Sequence, residues 1–446
     1  MRELKTAIVP PEPVRELAAT LERAGHQAWC VGGAVRDALL GHTHLDWDLA
    51  TSATPNEVRK VFRRTVPVGV EFGTVGVFDR DGRMHEVTTF RRDVRTDGRH
   101  AEVEFGASLD DDLARRDFTI NAIAYSPSRG ELRDPFGGRD DLKRGIVRAV
   151  GTPRERMKED RLRALRGLRF AGRFGFTIEN DTWRAISESA SHLGRLSRER
   201  VKQEIEKTVD QVPAPGLTFR LWRDAGAFAT LVPELARVSD VALSAIDAIC
   251  APGSAGDLAV ATDRAKARAD QRRLLRLALL FAELDPDDAD RTLRALRFSN
   301  QQTAQIVQLL RTWHTLGAEI TSSATADDRV PAPQIRRWAS VAGRPAFALL
   351  IRMAAARWAA QQTRGLTAPT PKSARMLYKD GVRIAYRDPI AVADLAIDGD
   401  DLVAAGVAPG PALGQILTAL RDAVLEDPSR NTRDELLALA RQLNSR

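Results

Sequence analysis

Only two cysteines, Cys30 and Cys250, occur in 446 residues. They lie far apart without a CxxC partner, which excludes a disulfide framework and a cysteine zinc site and suits a reducing compartment. Long apolar runs are also missing, and nothing in the chain approaches the length of a membrane span. The N-terminal MRELKTAIVPPEPVREL carries charges where a secretory signal needs an apolar core. The expectation is a soluble, cytoplasmic protein with no membrane partner and no obligatory protein partner. Excess charge is small: 67 Lys and Arg against 60 Asp and Glu leave a net charge of +7. With a pI of about 9.7, that balance gives a modest attraction to polyanions and excludes a packaging protein.

The length allows two to four domains. From about residue 26 to 150, short β-rich runs alternate with helical pattern: Ala28 to Val31, Leu45 to Ala50, Gly73 to Phe78, Met84 to Phe90, Ala101 to Phe105 and Ala122 to Tyr125. After Gly151-Thr152-Pro153 the strand signals stop. Apolar residues then recur at three and four, as in Leu162, Leu165, Leu168 and Ala171. Stretches rich in Gly, Pro, Ser or Thr at 211–216, 251–256, 321–333 and 363–373 are candidate junctions. The predicted fold class is α+β, a mixed-sheet head followed by helices throughout. Its predicted parts are a head at 1–150, a neck at 151–215, a body at 216–362 and a tail at 363–446.

The densest chemistry lies between Cys30 and Pro55. Gly32-Gly33 opens a short helix that carries Arg36, placing glycine amides, a helix N-terminus and a cation where a polyphosphate could lie. Asp46 and Asp48 follow two residues apart. On a strand both carboxylates project from one face, where they could hold metal ions. Taken singly, the glycines also read as a tight turn and the aspartates as a solvated strand end. Met84 to Phe90 forms the second strand of a hairpin around Asp79-Arg80-Asp81-Gly82. Its Glu86 is either a third metal carboxylate or an ordinary strand residue paired with an arginine.

In Arg115-Arg116-Asp117-Phe118-Thr119-Ile120-Asn121-Ala122, Asp117 reads as a helix N-cap. Asp160, Arg163, Arg166 and Arg169 recur every three residues, which on a helix makes one charged ridge, solvated or functional. His42 and His44 are too close to the aspartate turn to form a zinc site.

Together these strings resemble the motifs of the DNA polymerase β-like nucleotidyltransferases. The branch resembled is class II, which holds bacterial and eukaryotic CCA-adding enzymes and bacterial poly(A) polymerases. The resemblance implies a polymerase β-like head with all-α neck, body and tail, and catalysis at Asp46 and Asp48 as metal ligands for Mg²⁺, with Glu86 the candidate for a third carboxylate. It implies that Gly32, Gly33, Arg36 and Arg116 contact phosphates and that Asp117 and Asn121 lie near ribose and base. Asp134 to Leu142 resembles a hinge motif. Glu159 to Phe170 matches EDxxRxxRxxRF, in which Asp160 and Arg163 read the incoming base, with Arg166 and Arg169 beside them. Ser197 to Val201, with Glu204 and Lys207, resembles the motif that packs and orients that helix. Leu296 to Asn300 and the strings at 395–402, 409–414 and 425–428 resemble the body and tail, the tail gripping the tRNA elbow.

The donor and acceptor chemistry of the base-reading pair is specific. A carboxylate only accepts hydrogen bonds and a guanidinium only donates them. Cytosine and adenine each present an amino donor beside a ring-nitrogen acceptor, the complement of Asp160 with Arg163, whereas uracil and guanine present the reverse order. The activity implied is addition of CCA to the 3′ end of tRNA from CTP and ATP. The rivals are an enzyme that adds only the terminal A, a poly(A) polymerase, and a non-catalytic RNA-binding relative. No His-Asp dipeptide occurs, so the phosphohydrolase module of some relatives is missing. The charge-rich segment Arg91 to Phe105 is expected to be a mobile loop of the kind CC-only relatives lack.

Overall fold

Ala28–Val31 (β1) is an unbroken apolar run, buried at all four residues, and it forms the axis of the head. Burial on both faces is what such a run is suited to. The computed structural model describes residues 2–5, 8–43, 46–96, 101–249, 263–326 and 329–444. Around β1 assemble Asp48–Thr51 (β2), Thr65–Gly69 (β3), Thr74–Phe78 (β4), Met84–Thr89 (β5), Ala124–Ser126 and Glu131–Arg133. Arg91–Thr96 (β6) and Ala101–Phe105 (β7) form a separate ribbon, so the two later sheet strands are β8 and β9. The seven-stranded order is β3-β4-β5-β2-β1-β8-β9. β2 and β5 run parallel, and the other neighbours are antiparallel. Trp29, Val31 and Ala50 pack with Phe90, Leu109, Leu113 and Val150 into one core beneath the sheet.

Several boundaries differ from expectation. The strand predicted from Leu45 begins at Asp48, and Leu45 with His44 lies outside the described residues. Ala122 to Tyr125 starts late, because Thr119–Asn121 is a 3₁₀ turn. β3 carries Pro67, which a sheet tolerates at an edge, and β3 is an edge strand. The segment expected as a mobile loop is the β6–β7 ribbon, with Arg91 opposite Phe105 and an Arg92–Glu104 ion pair of 2.7 Å. Opposite charges facing one another across two strands favour pairing, so the charge density that suggested a loop supports a ribbon instead. Residues 97–100, at its tip, lie outside the described residues.

Past residue 145 the strand pattern has not quite stopped. Ile146–Val147 (β10) pairs in parallel with Thr177–Ile178 (β11), joining the end of the head to the neck. The neck helices that shape the site are Pro153–Glu159, Leu162–Phe174, Asn180–Ser189 and Arg198–Gln211. Leu162–Phe174 buries Ala164, Leu165, Leu168 and Ala171, as its apolar period requires.

The segment from Asp134 to Leu142 works as a latch. The Asp134 carboxylate accepts the amides of Gly138 and Arg139 at 2.8 and 2.9 Å. Thr119 Oγ1 donates to Asp141 at 2.7 Å. A Cβ on Gly138 would stand 2.1 Å from the carbonyl oxygen of Thr119, so only glycine lets this turn press against Thr119–Asn121.

The chain divides into two compact units, one of residues up to Arg237 and one of the described residues from Val238 on. The second contains ten α-helices among its described residues. Its C-terminal core joins Ile397, Leu402, Val407, Ile416, Leu420, Val424, Leu436 and Ala440. Buried Arg336 satisfies a helix C-terminus there, donating to the carbonyls of Leu425 at 2.6 Å and Glu426 at 2.9 Å. The junction expected at 251–256 and Cys250 lie outside the described residues. Among the described residues no single helix is long and apolar enough to cross a membrane.

Candidate active site

One cavity of about 990 Å³ in the first unit collects every site residue expected from sequence except Glu86. It is lined by Gly32, Gly33 and Arg36, by Asp46 and Asp48, by Arg116, Asp117 and Asn121, and by Asp160, Arg163, Arg166 and Arg169.

Register places the carboxylates. Val31 faces Asp48 across β1–β2, and Leu49 faces Val87 across β2–β5, so Asp48 and Glu86 lie side by side on adjacent parallel strands. Asp46 precedes Asp48 by one strand period. Burial, then the negative charges of Glu86 and Asp46, push the Asp48 carboxyl up to about 6. Crowded carboxylates of this kind hold an extra proton or a cation. Among the described residues no three His, Cys, Asp or Glu side chains form a metal-ligating group. Cys30, beneath the site, is buried, and burial followed by Asp48 raises its thiol, so it offers no nucleophile.

Gly32 adopts φ 72° at the N-cap of helix Gly33–Leu39. A Cβ there would come within 2.7 Å of Arg116 Nη1. The glycine therefore provides both a left-handed turn and space for an arginine at the cavity wall. Arg116 gives one nitrogen to Asp112 at 3.1 Å, and its buried Nε has no hydrogen-bond partner among the described residues. Asp112 is 1% exposed and also binds Arg115 at 2.8 Å. Burial would raise its pKa, but Arg116 and Arg115 outweigh burial and hold the carboxyl low.

Arg36, expected as a permanent cation facing the phosphates, is instead engaged within the protein. It is buried, donates to Asp37 at 2.7 Å and to Asn121, and lies 5.1 and 4.7 Å from the ring centroids of Phe170 and Phe174. Asp37 also accepts from Arg173 at 2.9 Å. From Asn121 the network runs on to Asp117 at 2.8 Å and from there to Arg166 at 2.7 Å. Burial works against the Asp117 charge, but Arg166 and Asn121 prevail and keep the carboxyl ionised. Asp117 thus links head to neck and is not the helix N-cap expected: its carboxylate accepts the Phe118 amide at 2.9 Å, and the 3₁₀ turn Thr119–Asn121 has Phe118 at its N-cap.

The ridge is also corrected. Arg163, Arg166 and Arg169 lie on helix Leu162–Phe174, but Asp160 sits in the extended break before it, with φ −145° and ψ 107°. Its carboxylate accepts the Leu162 amide at 3.0 Å and Arg200 at 2.8 and 3.0 Å. Two carboxylate oxygens offer about four acceptor sites, so capacity remains for a base amino group. Arg163 is anchored by Glu159 at 2.6 Å and by the carbonyls of Arg115 and Arg156 at 2.8 and 3.2 Å. Arg169 is buried against Glu204 at 2.7 Å. Burial lowers its pKa and Glu204 opposes that.

Sequence reasoning missed Arg200, assigned only a packing role, together with Arg115, Arg173, Lys207 and Gln211, all of which line the cavity. Arg173 was within reach, since it continues the ridge four residues after Arg169. Arg200 gave no such signal, because Glu204 stands four residues on as a ready partner, whereas in the fold Glu204 pairs with Arg169 and Arg200 with Asp160.

Residues 28–148 match the family model "Poly A polymerase head domain". Residues 175–238 match "Probable RNA and SrmB- binding site of polymerase A", and residues 351–440 match a model of the second domain of tRNA nucleotidyltransferases. The CCA-adding enzyme of Lactiplantibacillus plantarum is 34% identical over 441 residues, covering 97% of this chain and 96% of that one. That of Limosilactobacillus fermentum is 34% identical over 97% of each chain. The crystal structure of Bacillus stearothermophilus CCA-adding enzyme in complex with CTP superposes with a TM-score of 0.71 at 29% identity, covering 98% of both chains. The Thermotoga maritima CCA-adding enzyme complexed with tRNA_CCA shares the fold, with a TM-score of 0.67 at 20% identity over 99% of this chain and 100% of that one.

Proposed function

The chain belongs to the family of CCA-adding enzymes, and on that footing we propose that it builds and repairs the 3′-terminal CCA of tRNA from CTP and ATP, releasing pyrophosphate. The observation that carries the reading is one cavity holding both the Asp46–Asp48 carboxylates and the Asp160–Arg163 pair. Asp160 accepts the amino group of cytosine or adenine and Arg163 donates to the neighbouring ring nitrogen, so the protein stands in for a template strand. A uracil or guanine would set donor against donor, and each good paired contact is worth roughly 1–3 kcal/mol of discrimination.

Arg116 and the Gly32-Gly33 amides receive the triphosphate, and Asp117 and Asn121 position ribose and base. Arg36 acts through Asn121, and Arg166 and Arg169 brace the reader. Asp46 and Asp48 would hold the divalent cations, which we propose are Mg²⁺, with Glu86 adding negative charge beside them. Two carboxylates plus substrate phosphates, without an all-protein cage, is the usual manner of holding Mg²⁺. When bound, such ions lower the pKa of the attacking 3′-hydroxyl and neutralise charge on the leaving pyrophosphate. We assign base recognition to the neck at 151–215 and grip on the tRNA elbow to the tail at 363–446. We place the reaction in the cytoplasm with its substrates.

Incubating tRNA lacking three, two or one of its terminal nucleotides with each labelled NTP tests this. Extension of all three to CCA, then arrest, is expected. Extension of the CC-ended tRNA alone by one A identifies an A-adding enzyme, and continued A addition a poly(A) polymerase. No metal-dependent incorporation at all would leave only RNA binding.

A further inference from the structure

A second cavity, of about 460 Å³, adjoins the first and shares His42 and Thr43 with it, but none of the base-reading residues. Lys5, His42 and Arg83 surround a floor that includes Ile8, Pro11 and Trp47, and no acidic side chain lines it. Lys5 and Arg83 have no ion-pair partner among the described residues. Lys5 is nonetheless held in place. Its amide donates to the Leu39 carbonyl at 2.9 Å, and its aliphatic stem lies across Gly41. Trp47 alternates with Asp46 and Asp48, so its ring lies on the other face of that segment, 4% exposed. The annex therefore sits across the His42–Thr43 segment from the carboxylates.

Resting on the function proposed above, we propose that this annex receives the nucleotide preceding the 3′ end of the RNA, its phosphate between Lys5 and Arg83 and its base on the apolar floor. The incoming nucleotide fills the direction from the carboxylates toward Arg116, Asp160 and Arg163. The acceptor 3′-hydroxyl must reach the same carboxylates while its chain leaves by another route. A polyanion leaves most favourably along a wall with cations and no carboxylates, and a base finds an apolar face to rest on in exposed Val9 and Pro11, over buried Ile8 and Trp47. Of these two adjoining cavities, only the annex joins these features, and it meets the carboxylate cavity at His42 and Thr43 without crossing the base reader.

The test is equilibrium binding of tRNA lacking CCA and, separately, of CTP to wild type and to the double variant Lys5→Ala, Arg83→Ala, with CMP incorporation run in parallel. Both side chains are exposed and structurally free of partners, so the variant should fold. The expected result is a Kd for tRNA weaker by roughly tenfold, and a salt slope reduced by roughly 0.7 for the one single-strand phosphate no longer neutralised. Affinity for CTP should be unchanged, and the Lys5→Arg, Arg83→Lys pair should restore RNA binding. An unchanged tRNA Kd and slope, or a loss confined to CTP, overturns the annex. Failure of wild type to incorporate CMP defeats the functional reading instead, while the binding comparison still decides the annex.

Discussion

Asp112 belongs to none of the functional roles read from the sequence, yet it is the counter-ion for two arginines at the cavity wall, one of them Arg116. Its pKa is held below its ordinary value in the folded chain. Its stabilising contribution is therefore complete above the unfolded value near 4 and lost as pH falls through the lower folded value. Asp112→Asn is expected to cost about 2–4 kcal/mol at neutral pH, because it leaves two guanidinium groups uncompensated. It should also flatten the fall of stability below pH 4, as urea midpoints between pH 2.5 and 7 would show. Asp46 and Asp48 were legible as a pair because residue type and short spacing carry their chemistry, whereas Asp160 was picked out by the resemblance of Glu159 to Phe170 to a family motif and not by its spacing. Asp112, Arg200 and the burial of Arg36 were not, since each is defined by a partner far away in sequence, as Arg200 is by Asp160 forty residues earlier.

Among elements, the β6–β7 ribbon is the informative case. It stands outside the seven-stranded sheet, so its removal breaks no sheet pairing. Replacing residues 93–100 with a short Gly-Ser linker is expected to leave C addition near wild type and to slow the final A addition by tenfold or more, stalling products at CC. Single-turnover assays with tRNA lacking CCA and with tRNA-CC would show it. Equal slowing of both steps would assign the ribbon to general RNA contact. Most sheet strands and the long neck helices were visible as apolar periodicity. The two-residue β10 and β11 were not, because a pairing that short leaves no period to detect.

At the scale of the molecule, the carboxylates, the turn proposed to receive the triphosphate and the proposed base reader all belong to the unit ending at Arg237. A chain of residues 1–237 is therefore expected to bind CTP within about threefold of the full protein, while its KM for tRNA rises by more than tenfold, calorimetry and steady-state kinetics supplying the two numbers. Comparable tRNA KM values would remove the helical second unit from RNA recognition. Within the first unit, Arg173 ties Asp37 to the reading helix, Arg166 ties Asp117 to it, and β10 pairs with β11. With Asp160 and Arg163 as the reader, the letters C and A are stored as fixed coordinates in protein and inherited through its own gene. A missense change at the Asp160 codon would not stay in one molecule. On the role proposed for Asp160, it would pass to each tRNA end that the altered enzyme extends.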